Sequence, residues 1–185
     1  LDKFVKRGLA IVTLEPSCCS ALKDDLPDLI DDEALGKRVS AAVMPIEEFL
    51  EKEHLAGRVK IDLPSVKKHY LLHGHCHQKA LNGTGPLKRL MGRDGKEMRI
   101  SEVDSGCCGM AAGVGYEKEH YAISQQIGEQ RLFPAVRERE KDSTVIANGF
   151  SCRHQIKDAT GVKPVHFIEA LGRAMMKNRD GDADE

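Results

Sequence analysis

Residues 98–121, MRISEVDSGCCGMAAGVGYEKEHY, decide how the chain folds. The opening residues interleave Met98, Ile100 and Val103 with polar neighbours, as a half-buried strand does. That strand delivers the backbone directly into the adjacent pair Cys107 and Cys108. A core strand or helix would bury at most one of two neighbouring thiols on a given face, so the pair calls for something to bind. Gly106, Gly109, Gly113 and Gly115 surround it, and without Cβ atoms they allow tight turns and close approach to a bulky group. A helix is expected from about Tyr116, with Ile123 and Ile127 one turn apart and a bend at Gly128 or Pro134.

The same strand-to-cysteine handover recurs along the chain. LAIVTLEP (9–16) is an apolar, β-branched run stopped by Pro16, and SCCS follows, with Ser17 placed to cap a helix carrying Cys18 and Cys19. KHYLLHGHCHQKAL (68–81) passes from strand to helix near Cys76. STVIANG (143–149) hands over to Cys152, and KPV (163–165) reads as a short fifth strand before a terminal helix. Residues 31–56 read as helix broken at Pro45, with Val39, Val43, Ile46, Phe49 and Leu50 at helical intervals. Residues 1–8 end a helix at Gly8, and 56–68 carry turn signals with room for a short edge excursion. NGTGP and GRDGKE (92–97) read as turns, and RERE (137–140) as a solvated helix face.

Strands alternating with helices predict an α/β fold: a parallel sheet of about four to five strands flanked by helices, built from right-handed crossovers. In such a sheet all C-terminal strand ends share one edge, where ligands bind. Every cysteine follows a strand end, so four loops should bring their sulfurs to one centre on that edge. The composition is compatible. With 185 residues, 41% of them hydrophobic, one core needs no disulfides, and a net charge of −1 offers no footprint for nucleic acid or an anionic membrane. No apolar run is long enough for direct membrane insertion and no signal-peptide pattern opens the chain, which points to the cytoplasm. In that compartment six cysteines are better read as ligands or redox thiols than as disulfides. The absence of any C-x-x-C and the number of thiols favour an iron–sulfur cluster over tetrahedral zinc, which remains the alternative.

LEPSC (14–18), HGHCH (73–77), SGCCGMAAGVGYE (105–117) and ANGFSCRHQI (147–156) resemble, in order, the cysteine-rich CCG-domain family. That family occurs in the heterodisulfide reductase B subunit, the glycolate oxidase iron–sulfur subunit and the C-terminal part of FAD-linked oxidases. The resemblance implies a 4Fe–4S cluster, in the heterodisulfide branch a non-cubane one, held by Cys18, Cys76, Cys107, Cys108 and Cys152, with Cys19 an additional candidate metal ligand. Gly149 stands where the heterodisulfide pattern has a further cysteine, a loss that resembles the glycolate oxidase and FAD-linked oxidase branch.

The implied role is electron transfer within a flavin-linked 2-hydroxy-acid dehydrogenase acting on glycolate, D-lactate or D-2-hydroxyglutarate. FAD and ferredoxin-like clusters would lie in the remainder of that enzyme, and the electron acceptor is left open. Residues 1–176 would form one domain of a larger oxidoreductase, inactive alone, with 177–185 an acidic tail; a full complex could sit at the inner membrane peripherally. Two other readings compete: a zinc-binding docking module, and a disulfide reductase domain of the heterodisulfide kind, which the missing C-x-x-C disfavours. His73, His75 and His77 share strand parity and are read as hydrogen-bond donors to a cluster in preference to ligands, as is His154. His54, His69, His120 and His166 are read as surface or satisfied core residues.

Overall fold

A computed structural model describes residues 1–63, 67–92 and 98–181, with side chains described through 176. The chain opens with α1 (Asp2–Val5), then β1 (Ile11–Thr13), α2 (Pro16–Ser20), a wide turn of helix at Ala21–Asp25, and α3 (Leu26–Leu29). α4 (Glu33–Ala42), β2 (Val43–Pro45) and α5 (Ile46–Leu55) follow, leading to β3 (Lys68–His73), α6 (Cys76–Leu81), α7 (Gly85–Met91) and β4 (Met98–Glu102). The second half holds α8 (Tyr121–Glu129), α9 (Leu132–Glu138), β5 (Thr144–Ala147), α10 (Phe150–Thr160) and α11 (Phe167–Gly181).

All strand pairs are parallel, but they form two sheets. One is β1–β2; the other has the order β4–β3–β5, with β3 in the middle. The central strand reads as a continuous apolar run because both its faces are covered. Tyr70 and Leu72 face one core with Leu87, Leu90, Ile146 and Phe167, while Leu71 faces another with Val145, Phe133, Val136 and Ile156. A third, smaller core gathers Cys19, Val39 and Val43 beside β1 and β2.

Several expectations shift. Val43–Pro45, read as a helix break, is a strand that pairs Val43 with Ile11 and Pro45 with Thr13. A proline cannot continue a helix but fits an extended edge, and three residues are too few for period-two alternation to show. The fifth strand is a single bridge between Val165 and Ile146. The break after Ile127 falls between α8 and α9, at 130–131; Pro134 lies in the first turn of α9, where a missing N–H costs nothing. Glu15, not Ser17, precedes the first turn of α2, and Ser17 Oγ donates to Glu15 Oε1 at 2.9 Å. α11 continues through 177–181, where a tail was expected, and 182–185 lie outside the described residues. So do most of the turn at 92–97 and positions 64–66 of the stretch 56–68.

Candidate metal centre

Three strand exits on the C-terminal edge of the larger sheet build the centre. β3 ends on His73, and α6 begins shortly after with Cys76. β4 runs out through Val103 and Ser105 to Cys107 and Cys108. β5 leads through Asn148 and Gly149 to Cys152 in the first turn of α10. His73 has the parity of Leu71, so its ring enters the side of the sheet where Cys108 and Cys152 are buried, at 2% exposure each.

Four sulfurs stand in a chain of contacts. Cys107 touches both Cys76 and Cys108, Cys108 touches Cys152, and Cys152 touches His73. The ligating atoms of His73, Cys108 and Cys152 all lie within 4.8 Å of one another. Crowding splits the thiols by acidity. The Cys108 thiol pulls the pKa of Cys107 down, with Cys76 adding to the effect, and Cys108 likewise lowers Cys152. Cys76 and Cys108 are pushed up, each first by the neighbouring Cys107 sulfur and further by burial. Sulfurs this close cannot all ionise unless a cation joins them. The backbone also serves the sulfurs: Gly109 N–H points at Cys107 Sγ at 3.4 Å, the N–H of Ala111 joins it, and Met110 N–H serves Cys108.

The remaining sequence-predicted residues separate. Cys18 is exposed on α2, and its thiol has no hydrogen-bond partner among the described residues. Cys19 is buried apart from the other sulfurs, in a small pocket with Thr13, Glu47, Gln78, Asn82 and Asn148; burial raises its pKa, and its thiol lies 3.8 Å from Asn82 Oδ1. Three loops, not four, therefore bring sulfurs into contact. His75 is buried beside the centre, and its Nδ1 accepts from His77 N–H at 3.2 Å, which places the ring proton of a neutral His75 on Nε2. Burial keeps that ring neutral by lowering its pKa. His77 turns away, because α6 has begun, and meets Ser20 Oγ at 2.6 Å. His154 packs on the exposed Phe150 ring. His54, His69, His120 and His166 bond to Val59, Ser101, Glu117 and Leu14 respectively.

Two glycines behave differently from one another. A Cβ at Gly149 would lie 2.4 Å from the His75 ring and 3.1 Å from Cys152 Sγ, so the imidazole fills the space a side chain there would need. Gly109, at φ +101°, would instead drive a Cβ to 2.0 Å from the Ser124 carbonyl oxygen, so its small size lets the cysteine loop lie against α8. The expectation that the glycines admit a bulky group is thus replaced at Gly109 by contact with the fold itself.

Sequence reasoning missed three supporting residues. Ser105 Oγ lies 3.0 Å from His73 Nδ1, Lys79 Nζ donates to the carbonyls of Ser105 and Gly106, and Glu47 is a fully buried carboxyl bonded by Gln78 and Asn148. Lys79 lies one helical turn beyond Cys76, a spacing that could have flagged it. Glu47 sits in an amphipathic helix whose pattern marks its position as a solvent-facing one.

Residues 70–157 match the model of the cysteine-rich domain family CCG. That stretch is a CCG cysteine-rich domain. The chain is also similar to one of the subunits of the anaerobic glycerol-3-phosphate dehydrogenase of Escherichia coli (strain K12), at 27% identity over 171 residues, 91% of this chain and 41% of that protein. It is similar to the D-2-hydroxyglutarate dehydrogenases of Haemophilus influenzae, at 24% identity over 92% of this chain and 17% of that protein, and of E. coli (strain K12), at 26% over 92% and 16%. The chain thus spans less than half the length of these curated relatives. No solved structure matches it. Among the described residues no helix is long and apolar enough to cross a membrane.

The CCG domain's cysteines form, with His73, a group of metal-ligating chemistry, and its fit to a metal centre can be tested on one atom. His73 is 1% exposed and its Nε2 has no hydrogen-bond partner among the described residues, which is costly for a buried nitrogen unless something binds there. Four sulfurs in contact, which cannot all ionise without a cation, leave the same unmet demand for positive charge. The residues present fit a thiolate-held centre.

Proposed function

We propose that this chain binds an iron–sulfur cluster of the 4Fe–4S type and passes electrons within a flavin-linked dehydrogenase. The carrying observation is the run of four contacting sulfurs, Cys76, Cys107, Cys108 and Cys152, delivered by three parallel strand exits. Four thiols in a run of contacts are shared readily by several irons, which thiolates commonly hold. The relatives' names add the setting. Glycerol-3-phosphate and D-2-hydroxyglutarate both present a secondary alcohol, so the substrate class extends beyond 2-hydroxy acids to secondary alcohols bearing an anionic group. Oxidation of that alcohol would belong to a flavin domain or subunit outside this chain.

When bound, such a cluster would accept and release single electrons. The protein's own part is to exclude water with Leu71, Phe133 and Val136, to aim the N–H groups of Gly109, Met110 and Ala111 at the sulfurs, and to hold their loop by Lys79. Cys18, exposed on α2, is proposed as a further ligand. The residue just before that helix reaches the third cysteine loop, since Glu15 Oε2 accepts from Phe150 N–H at 2.8 Å.

Anaerobic reconstitution tests the reading. Iron and acid-labile sulfide in near-equal amounts, broad visible absorbance and a paramagnetic signal in one redox state are expected. Stoichiometric zinc with no iron uptake would replace this reading with the zinc module, to which the close trio His73, Cys108 and Cys152 lends itself. The Cys18→Ser variant should keep its fold and lose part of its iron.

A further inference from the structure

We infer that His73 is a nitrogen ligand of the metal centre, bonding through Nε2 beside the sulfurs of Cys108 and Cys152. The inference rests on the metal-binding reading above and extends it, because that reading needs thiolates alone. Four observations carry it. The His73 ring is completely enclosed, at 1% exposure, so solvent does not satisfy its nitrogens. Among the described residues its Nε2 has no hydrogen-bond partner of good geometry, only the Cys152 thiol beside the ring, while its Nδ1 is engaged by Ser105 Oγ at 3.0 Å. One of its ring nitrogens and the two thiol sulfurs are mutually within 4.8 Å, a span one metal atom can bridge. Finally, β3 fixes it: His73 is the last residue of the central strand, paired with Ala147 of β5.

The Ser105 contact decides which nitrogen binds. With its proton on Nδ1, donated to Ser105 Oγ, the ring presents the Nε2 lone pair to the sulfurs; metal-bound histidines generally show this arrangement, donating the opposite N–H to an oxygen. His75 is the instructive contrast. Its Nδ1 is already taken as an acceptor by His77 N–H, so its Nε2 carries the proton and can only donate toward the centre. Two histidines at the same strand parity thus take opposite parts. His73 ligates, and His75, filling the space beside Gly149 and Cys152, hydrogen-bonds.

A mixed nitrogen and sulfur ligand set raises the potential of an iron–sulfur centre relative to thiolates alone. The test is pulsed electron paramagnetic resonance on the reduced, anaerobically reconstituted chain labelled with 15N-histidine. A strong 15N coupling is expected in the wild type, absent in His73→Cys and retained in His75→Gln. His73→Cys should keep its iron and shift the one-electron reduction equilibrium at least tenfold toward the oxidised form, equivalent to about 59 mV.

A full iron and sulfide complement with only the weak coupling of a hydrogen-bonded nitrogen would overturn the ligand assignment while leaving the proposed function standing. Should the protein take zinc instead, zinc-edge X-ray absorption reads the same question: a nitrogen neighbour lost in His73→Cys supports the ligand while the function falls, and an all-sulfur shell overturns it. A chain that takes up neither metal overturns both.

Discussion

Ala111 and Ala112, just past the cysteine pair, both have left-handed backbone, at φ 41° and 57°. Such a conformation costs a residue bearing a Cβ roughly 1 kcal/mol, and here it lets the N–H of Ala111 reach the sulfur of Cys107. Ala112→Gly should therefore raise stability by about 0.5–1 kcal/mol, read as a higher denaturant midpoint, while leaving iron content unchanged. The β-branched Ala112→Val should lower it. Gly109→Ala should be far more damaging, losing cooperative unfolding together with the centre, because the added methyl meets the Ser124 backbone. Lys79 acts at the same scale. Its ammonium holds the carbonyls of Ser105 and Gly106, so Lys79→Met should weaken cluster retention, and Lys79→Arg should restore most of it.

At the scale of elements, α5 ties the loops of the centre together from outside through Glu47. Its carboxylate accepts from Gln78 on α6 and, at 3.4 Å, from Asn148 after β5, whose own Oδ1 accepts from Phe167 N–H at the start of α11. Burial raises the Glu47 pKa above 4.5. A carboxyl raised in this way binds its proton more tightly folded than unfolded, so the stability it lends falls as pH rises from its unfolded pKa through its folded one, and is level above that. Glu47→Gln should remove this slope: the variant gains on the wild type through that window and loses its advantage near pH 4, as denaturant midpoints across pH would show.

Elements also mark where the sequence was legible. β3, β4 and β5 were, because apolar runs ending at cysteines carry both a strand signal and a site signal. β2 was not, since Val43–Pro45 is short and its apolar residues coincide with the helical spacing of the flanking helices. The cysteines of three loops could be grouped from strand order alone. The separation of Cys19 from them could not, because it depends on which face of a single helical turn points inward, and five residues in α2 leave no periodicity to read.

Across the whole molecule, two large cores enclose the three-stranded sheet, while the first 42 residues rest on a small one around Cys19, Val39 and Val43. Amide exchange should accordingly be fastest in that region and slowest in β3, because opening free energy follows the apolar contacts that must be broken. Thiol reactivity should follow the same gradient in the metal-free chain: Cys18 alkylates in the folded state, and Cys108 and Cys152 only on unfolding.

The CCG match covers 70–157, yet Leu72, Leu87, Leu90 and Ile146 within it are roofed by Ile61, Leu63, Phe167 and Leu171 from outside it. Cut at the limits of recognisable kinship, the segment would keep its cysteine signature and lose the lid of one core, exposing an oily sheet face to water. The stretch that carries the signature and the stretch that makes a foldable unit are therefore different lengths of chain, and an excised piece has to be drawn to the second.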